Sequence, residues 1–132
     1  MWDVSQITDF SQVFYAPRNR ALRDFNEDLP EWNVSNGTKF SCMFMGCTAF
    51  NGNVSSWDVS NATDLKWMFG GCTSFNGDVS SWDLSNATCL DGMFHSCESF
   101  TGDVSSWDVS NATNMLRMFE FCALFNSDVS TW

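Results

Sequence analysis

The sequence has few basic residues, and this scarcity limits its partners. Lys and Arg together number 6 against 16 Asp and Glu, which gives a net charge of −10. Half of the basic residues lie in one short stretch, as Arg18, Arg20 and Arg23, so the rest of the chain is more acidic still. Phosphate backbones are bound by basic faces, so we expect no nucleic-acid partner. A positively charged protein surface suits the chain better.

Long apolar runs are also missing. No run of about 18 apolar residues occurs, so we expect no membrane span in this chain. No basic stretch followed by an apolar segment opens the sequence, and we therefore predict no signal peptide here. Met1 directly precedes a Trp that already stands in the register of the repeat described below. We therefore expect the chain to be a segment of a longer protein.

Tyr and Pro are scarce, at 1 and 2 residues, whereas the other large apolar side chains are abundant. The chain has 13 Phe, 7 Trp and 7 Met in 132 residues. Such a composition predicts one folded domain, residues 1–132, rather than disorder.

A repeat of 25 residues organises the sequence. Its clearest marker is a Trp column, at Trp32, Trp57, Trp82, Trp107 and Trp132. Trp2 begins an irregular first unit, residues 2–31, which carries an insertion near 15–24. Regular units run from Trp32 to Trp132 and share the pattern V-x-x-W-x-V-x-x-A-x-x-L-x-x-M-F-x-x-C-x-x-F. We expect the Trp, Val, Leu, Met and Phe columns to stack as a core, since one unit cannot bury its own apolar side.

The spacing within a unit predicts one strand and one short helix. W-x-V has the period of a strand, and the apolar spacing of three and four from the Ala to the Cys is helical. Ser and Asn before that stretch, as in Ser60 and Asn61, are typical helix caps. The predicted fold is therefore an α/β solenoid: a right-handed, leucine-rich-repeat-like stack of about five 25-residue coils. A parallel β-sheet would lie on one face and short helices on the other.

The repeat string also resembles a known family. W-D-V-S-N-A-T-D-L-x-x-M-F-x-x-C-x-x-F-N-G-D-V-S-S-W is similar to the 25-residue repeat of BspA-like surface proteins, a group that includes mycoplasma surface-lipoprotein repeats. The resemblance covers nearly the whole chain and departs from it at residues 15–24. It implies an extracellular or cell-surface protein used in attachment or protein binding, with no established biochemical activity for many members.

The leading candidate site is the residue between Trp and Val, whose side chain should point outward. This column holds Asp3, Asn33, Asp58, Asp83 and Asp108, and it is edged by hydroxyls of Ser56, Ser81 and Ser106 and of Ser60, Ser85 and Ser110. We interpret Asp3, Asp58, Asp83, Asp108, Ser56, Ser81 and Ser106 as a partner-binding face. The alternatives are a solvated polar face and a weak Ca²⁺ site, although the spacing fits no EF-hand loop.

Other candidates have a structural interpretation. A second acidic column lies beside turn glycines and is explained by turn chemistry: Asp28, Asn53, Asp78, Asp103 and Asp128. The Cys column, at Cys47, Cys72, Cys97 and Cys122, predicts buried reduced thiols rather than disulfides or zinc ligands. His95 has no catalytic partner at a recognisable spacing and is predicted to be a variable surface residue. The basic insertion is predicted to be either a binding loop or an end cap.

Together these features predict no enzyme, no cofactor and no bound metal. The predicted function is a non-catalytic cell-surface adhesion or protein-binding module, with a structural spacer or a calcium-binding repeat as the alternatives. Unpaired strand edges at the two ends also predict end-to-end self-association.

Overall fold

A computed structural model describes residues 2–132 and shows repeated units stacked one on another. Successive units are joined by isolated parallel β-bridges, which pair Asp9 with Lys39, Lys39 with Asp64, Asp64 with Cys89, and Cys89 with Asn114. Within the described residues the one helix is a short 3₁₀ helix, Arg20–Asp24, in the insertion of the first unit. Asn19 caps it by accepting a hydrogen bond from the Ala21 N–H. The remainder of each unit consists of turns and extended single residues.

The prediction of an α/β solenoid is wrong, and so is the prediction of a leucine-rich-repeat-like fold. Residues 2–132 contain no strand and no sheet, and the predicted helical stretches are runs of turns. The W-x-V segment, predicted as the strand, takes part in no bridge. The bridges lie instead at the residue after the Thr of each unit, within the stretch from the Ala to the Cys that was predicted to be helical.

The absence of helix and strand is explained by the backbone conformation of five equivalent segments. We call them the ladder segments: residues 8–16, 38–46, 63–71, 88–96 and 113–121. In the second segment the N–H groups of Phe40, Cys42, Phe44 and Gly46 donate to carbonyls of the next unit at 2.8–2.9 Å. Between them, the Met43 N–H donates to the Phe40 carbonyl three residues back. Cys42 and Gly46 have φ values of 57° and 77°. Strands and helices both require negative φ, so the segment is neither, although its amides are paired.

Polar residues form the corners that precede each ladder segment. Asp58 Oδ1 accepts hydrogen bonds from the Ser60 N–H at 3.0 Å and the Ser60 hydroxyl at 2.6 Å. The Ala62 N–H then donates to the Val59 carbonyl, which closes a turn. Asn53 makes the same pair of bonds to Ser55 five residues earlier. These side chain-to-backbone bonds divert the chain from helix or strand, as Asp, Asn and Ser do in Asx-turns.

Aromatic columns fill the interior. Phe44, Phe69 and Phe94 stack with ring centroids 5.6 Å apart between neighbours, and Phe50 stacks 4.2 Å from Phe44 within its unit. The predicted core columns are confirmed by the full burial of Val54, Leu65, Met68, Phe69 and Phe75 and their counterparts in the central units. The core is therefore built from contacts within a unit and from contacts between neighbouring units.

Each unit also makes polar bonds to its predecessor. The indole N–H of Trp82 donates to the Val54 carbonyl at 3.1 Å. The side-chain amide of Asn61 donates to the Ser35 carbonyl at 2.8 Å, so Asn61 joins units instead of capping a helix as predicted. No helix within residues 2–132 is long and apolar enough to cross a bilayer.

Candidate functional site

The Asp column lies on the outside of the stack. Asp3, Asn33, Asp58, Asp83 and Asp108 are exposed, whereas their neighbours Trp57, Val59, Trp82 and Leu84 are buried. The predicted outward orientation is therefore confirmed, although turns rather than a sheet carry the column. We call the surface formed by Asp58, Asp83, Asp108, Asp3, Ser56, Ser81 and Ser106 the Asp/Ser face.

The carboxylates of this face are held by their own corners. Asp83 Oδ1 accepts the Ser85 N–H at 2.9 Å, and Asp108 Oδ1 accepts the Ser110 N–H at 3.0 Å. Hydrogen bonds from Ser60 lower the pKa of Asp58, and those from Ser85 lower the pKa of Asp83. The negative charge of Asp83 acts in the opposite direction on Asp58, which shows that neighbouring carboxylates feel one another. The face consequently stays ionised at neutral and mildly acidic pH.

No basic side chain neutralises this row. Within residues 2–132 the ion pairs are His95–Glu120 and Arg117–Glu120, and neither includes a residue of the Asp/Ser face. In each of the carboxylates of Asp3, Asp58, Asp83 and Asp108 only Oδ1 accepts a hydrogen bond among the described residues, and the residues themselves are exposed. Like charges repeated along a column repel each other, so a cationic group placed over the row would be favourable.

Of the three serines predicted to contribute to partner binding, some have their hydroxyls engaged in hydrogen bonds within the protein. Ser56 is exposed and lines a shallow groove of about 290 Å³ together with Asp58, Asn33 and Glu31. The hydroxyls of Ser81 and Ser106 instead donate to backbone carbonyls of the preceding unit at 3.4 and 3.5 Å. Glu31 occupies the Ser56 column in the first unit and adds a charge that the sequence interpretation missed. Its position 25 residues before Ser56 was the available signal.

The second acidic column makes turns, as predicted. Asp78 Oδ1 accepts the Ser80 N–H at 3.0 Å and the Ser80 hydroxyl at 2.6 Å, and Asp103 does the same with Ser105. Asp28 accepts the Asn53 N–H of the next unit at 2.8 Å. Both acidic columns are thus built into corners, and each lines a groove: Asp58 lines the one of about 290 Å³, and Asp103 and Asp128 line one of about 380 Å³. What distinguishes the Asp/Ser face is its charged neighbour Glu31.

The cysteine column is buried and unpaired. Cys47, Cys72 and Cys97 are fully buried free thiols, as predicted, and Cys122 in the last unit is half-buried. Each thiol donates to the Phe carbonyl of the preceding unit, for example Cys72 to Phe44 at 3.1 Å. Burial raises the pKa of Cys47 to about 12. Such thiols are poor nucleophiles and poor metal ligands.

His95 is part of a side-chain cluster that the sequence interpretation missed. Its Nδ1 lies 3.0 Å from the Ser96 hydroxyl, its Nε2 lies 3.3 Å from Glu120, and its ring packs on Trp67 at 4.6 Å. A hydroxyl, an imidazole and a carboxylate in sequence resemble a hydrolase triad. The N–H groups of Ser96 and Cys97, however, donate to the carbonyls of Glu120 and Phe94. These amides therefore cannot act as oxyanion donors, and the cluster is packing around Trp67.

The insertion extends the edge of the first unit. Arg18 lies over the Tyr15 ring at 5.9 Å, and the Arg23 carbonyl accepts the Ala49 N–H at 2.9 Å. Arg18, Arg20 and Arg23 are all exposed. In the following unit the equivalent acceptor is the Thr48 carbonyl, which accepts the Ser74 N–H. Arg23, in the 3₁₀ helix, therefore makes the same inter-unit hydrogen bond as Thr48.

Comparison with known protein families identifies the family of this repeat. The family described as "Mycoplasma protein of unknown function, DUF285" matches the chain twice, over residues 1–89 and over residues 53–132. The chain belongs to this Mycoplasma family. The two matches overlap by more than one unit, as expected when a repeated pattern is aligned in two registers. No curated protein and no solved structure matches the chain.

Membership in DUF285 is consistent with a mycoplasma surface repeat protein. It gives no ligand and no activity, so the chemistry of the site rests on the geometry above. Among residues 2–132 no group of three or more His, Cys, Asp or Glu side chains is arranged to hold a metal ion.

Proposed function

We propose that the chain is a non-catalytic binding module of a mycoplasma cell-surface protein, and that the Asp/Ser face binds a basic protein partner. The observation that carries this proposal is the exposed, ionised and unpaired row of Asp58, Asp83 and Asp108. A regular row of negative charge attracts a cationic surface and accelerates its association. The surface location rests on the resemblance of the repeat sequence to surface lipoproteins and on the Mycoplasma family.

The side-chain chemistry favours binding over catalysis. The exposed carboxylates have lowered pKa values through their serine hydrogen bonds, so they are weak bases. The buried thiols have raised pKa values through desolvation. The Ser96–His95–Glu120 cluster has its nearby amides engaged in backbone hydrogen bonds.

Replacement of the row by Asn tests the proposal without damaging the corners. Asn33 and Asn53 already make the same hydrogen bonds as Asp58, so Asp58→Asn, Asp83→Asn and Asp108→Asn together remove charge alone. We expect the triple variant to lose most of its affinity for an immobilised polylysine peptide at low salt. The matched control is Asp78→Asn, Asp103→Asn and Asp128→Asn, which removes the same charge from the second column. Equal loss in both variants would show attraction by net charge and would contradict a specific face.

A structural spacer is the second candidate, and the corner hydrogen bonds favour it. Because every Asp of the face accepts a bond from its own turn, turn formation alone gives these residues a structural role. If the spacer interpretation holds, both triple variants bind polylysine equally well and support attachment of whole cells equally. Changing the number of units would then alter attachment instead.

A further inference from the structure

The insertion of the first unit projects beyond the outline that the regular units share. The Thr38 hydroxyl bonds to a carbonyl 30 residues back, across the insertion, whereas the Thr63 hydroxyl bonds 25 residues back. Regular units have no counterpart of the extra residues, so the insertion is exposed because of its length and not because of the position of its unit. Its base is fixed, since the Arg23 carbonyl accepts the Thr48 hydroxyl at 3.3 Å and the Ala49 N–H at 2.9 Å.

The short 3₁₀ helix of the insertion sorts its side chains onto three sides. Such a helix has three residues per turn, so side chains three residues apart lie one above the other. Arg20 and Arg23 therefore share one side, and Ala21 and Asp24 share another. Leu22, on the third side, packs partly against the core, and the two arginines are exposed.

The guanidinium groups of the insertion have no carboxylate partner. Within residues 2–132 neither Arg20 nor Arg23 belongs to an ion pair. Arg18, just before the helix, lies over the Tyr15 ring and also makes no ion pair among these residues. Three such cations lie together on a protein whose net charge is −10. Because guanidinium groups bind carboxylates through parallel hydrogen bonds, an acidic surface is their complementary partner.

The spacing of the two helical arginines matches that of the acidic row. Three residues of a 3₁₀ helix rise about 6 Å, at about 2 Å per residue. Equivalent rings of successive units have centroids 5.6 Å apart for Phe69 and Phe94, and 6.4 Å apart for Trp107 and Trp132. Asp108 directly follows Trp107, so successive carboxylates of the row have a comparable spacing.

We propose that the arginine side of the insertion binds the Asp/Ser face of a second copy of this chain. Arg20 and Arg23 donate to two successive carboxylates of the row, such as those of Asp58 and Asp83. Oδ1 of each carboxylate already holds its corner, and the other oxygen accepts from the guanidinium group. This inference rests on the proposed function, since it identifies the basic partner of the Asp/Ser face as another copy of the chain.

The contact is made by the side of the stack, so it does not depend on the number of units. Each chain carries a net charge of −10, but the repulsion between two chains is screened beyond about 8 Å at physiological ionic strength. Exposed ion pairs are individually weak. The contact therefore forms at high local concentration, as between molecules crowded on a cell surface.

Nuclear magnetic resonance of two complementary variants tests the contact. Arg20→Gln with Arg23→Gln removes the basic side, and the triple Asn variant of the row removes its charge while keeping the corners. The first variant is labelled with ¹⁵N, and the second is added unlabelled up to about 1 mM. We expect the amide signals of Ser60, Ser85 and Ser110 to shift, because these amides bond the carboxylates of the row. The labelled variant alone should show no concentration dependence.

A variant with respaced arginines is the matched control. Arg20→Ala with Ala21→Arg, introduced into the unlabelled chain, keeps the net charge and moves one arginine to the side of Asp24. Most of the shift should then be lost. An equal shift from the respaced chain would show attraction by charge alone and would overturn the proposal. The absence of any shift up to about 1 mM would overturn it as well.

Polylysine separates failure of this inference from failure of the proposed function. If the signals of the row respond to polylysine but not to the second chain, self-recognition is refuted and the proposal of a basic partner stands. If they respond to neither, both are refuted. All the variants change exposed side chains, so their near-ultraviolet circular dichroism should match that of the wild type.

Discussion

At the scale of single residues, one carboxylate serves two purposes. Asp58 uses Oδ1 to hold the Ser60 corner, and it leaves Oδ2 and its charge at the surface. The corner needs only an acceptor, which Asn provides equally well at Asn33 and Asn53. Charge and turn formation can therefore be separated by the choice of substitution.

Asp58→Ala and Asp58→Asn should differ in stability. Alanine removes both hydrogen bonds to Ser60, and we expect it to lower the free energy of unfolding by about 1 kcal/mol, as for loss of a side-chain cap. Because Asp58 is solvent-exposed, its charge contributes little to stability. Asp58→Asn should therefore lower the free energy of unfolding by only a few tenths of a kcal/mol. Urea denaturation of the two variants measures the difference. Equal midpoints would contradict the role of Oδ1 in the corner.

Acid should destabilise the protein through these carboxylates. Serine hydrogen bonds lower the folded-state pKa of Asp58, Asp78 and Asp83 below their usual value of 3.8. A lowered folded pKa adds stability that is fully present above the unfolded pKa and is lost as the pH falls through the folded pKa. At high salt the mutual repulsion of acidic groups is screened. Under that condition the free energy of unfolding should decrease as the pH is lowered from about 4.

The Asp58, Asp83 and Asp108 triple Asn variant provides the comparison for this acid effect. Its corners keep their hydrogen bonds but no longer titrate, so stability should fall less steeply with acid than in the wild type. Guanidinium denaturation at a series of pH values gives both curves. Parallel curves would show that other groups govern the acid response.

At the scale of elements, the ladder segment decides the fold, and its conformation was not predictable from residue type. The residues with positive φ in one column are Gln12, Cys42, Trp67, Gly92 and Arg117. Four of these five are not glycine, so the usual signal for left-handed backbone is absent. The apolar spacing of three and four residues therefore predicted a helix, although the same spacing is compatible with a succession of turns.

Other parts of the unit were predictable. Columns of identical apolar residues indicated the core directly, because stacking places equivalent residues on each other. The outward direction of Asp58 followed from the apolar residues on either side of it. The turns could have been found from [Asp/Asn]-Val-Ser recurring after five residues, as at Asn53 and Asp58, since this pattern favours Asx-turns over a strand.

Gly92 should be required by a neighbouring ring rather than by its backbone. Its φ of 60° is shared by side-chain-bearing residues in the same column, but an added Cβ would lie 2.4 Å from Trp67 Cε2. We expect Gly92→Ala to cost about 1–3 kcal/mol, as for overpacking in a tight contact. In the Trp67→Ala background the same change should cost much less. A double-mutant cycle by urea denaturation measures the coupling, and additivity would refute the clash.

At the scale of the whole molecule, each unit contacts its neighbours through offsets that recur. The Thr hydroxyls bond 25 residues back, as Thr63 does to Thr38, and the Trp indoles bond 28 residues back, as Trp82 does to Val54. Removal of one whole unit should therefore preserve every kind of contact. It should reduce only the number of interfaces that contribute to stability.

Deletion of residues 58–82 tests this equivalence. It joins Trp57 to Asp83 and reproduces the Trp-Asp junction found at Trp57, Trp82 and Trp107. We expect a folded protein that unfolds cooperatively at a lower urea concentration than the wild type. Deletion of residues 58–77, which breaks the register, should instead abolish the near-ultraviolet circular dichroism of the stacked aromatic rings. Retention of native structure after the second deletion would contradict a fixed register.

The ladder segments also bear on the electrical character of the molecule. In the second unit four N–H groups point toward the next unit, whereas the N–H groups of Thr38, Ala49, Asn51 and Asn53 donate to the preceding unit. Peptide dipoles that point in opposite directions largely cancel, as they do in ordinary strands and unlike those of an α-helix. Adding units should therefore lengthen the molecule without building a potential difference between its two ends.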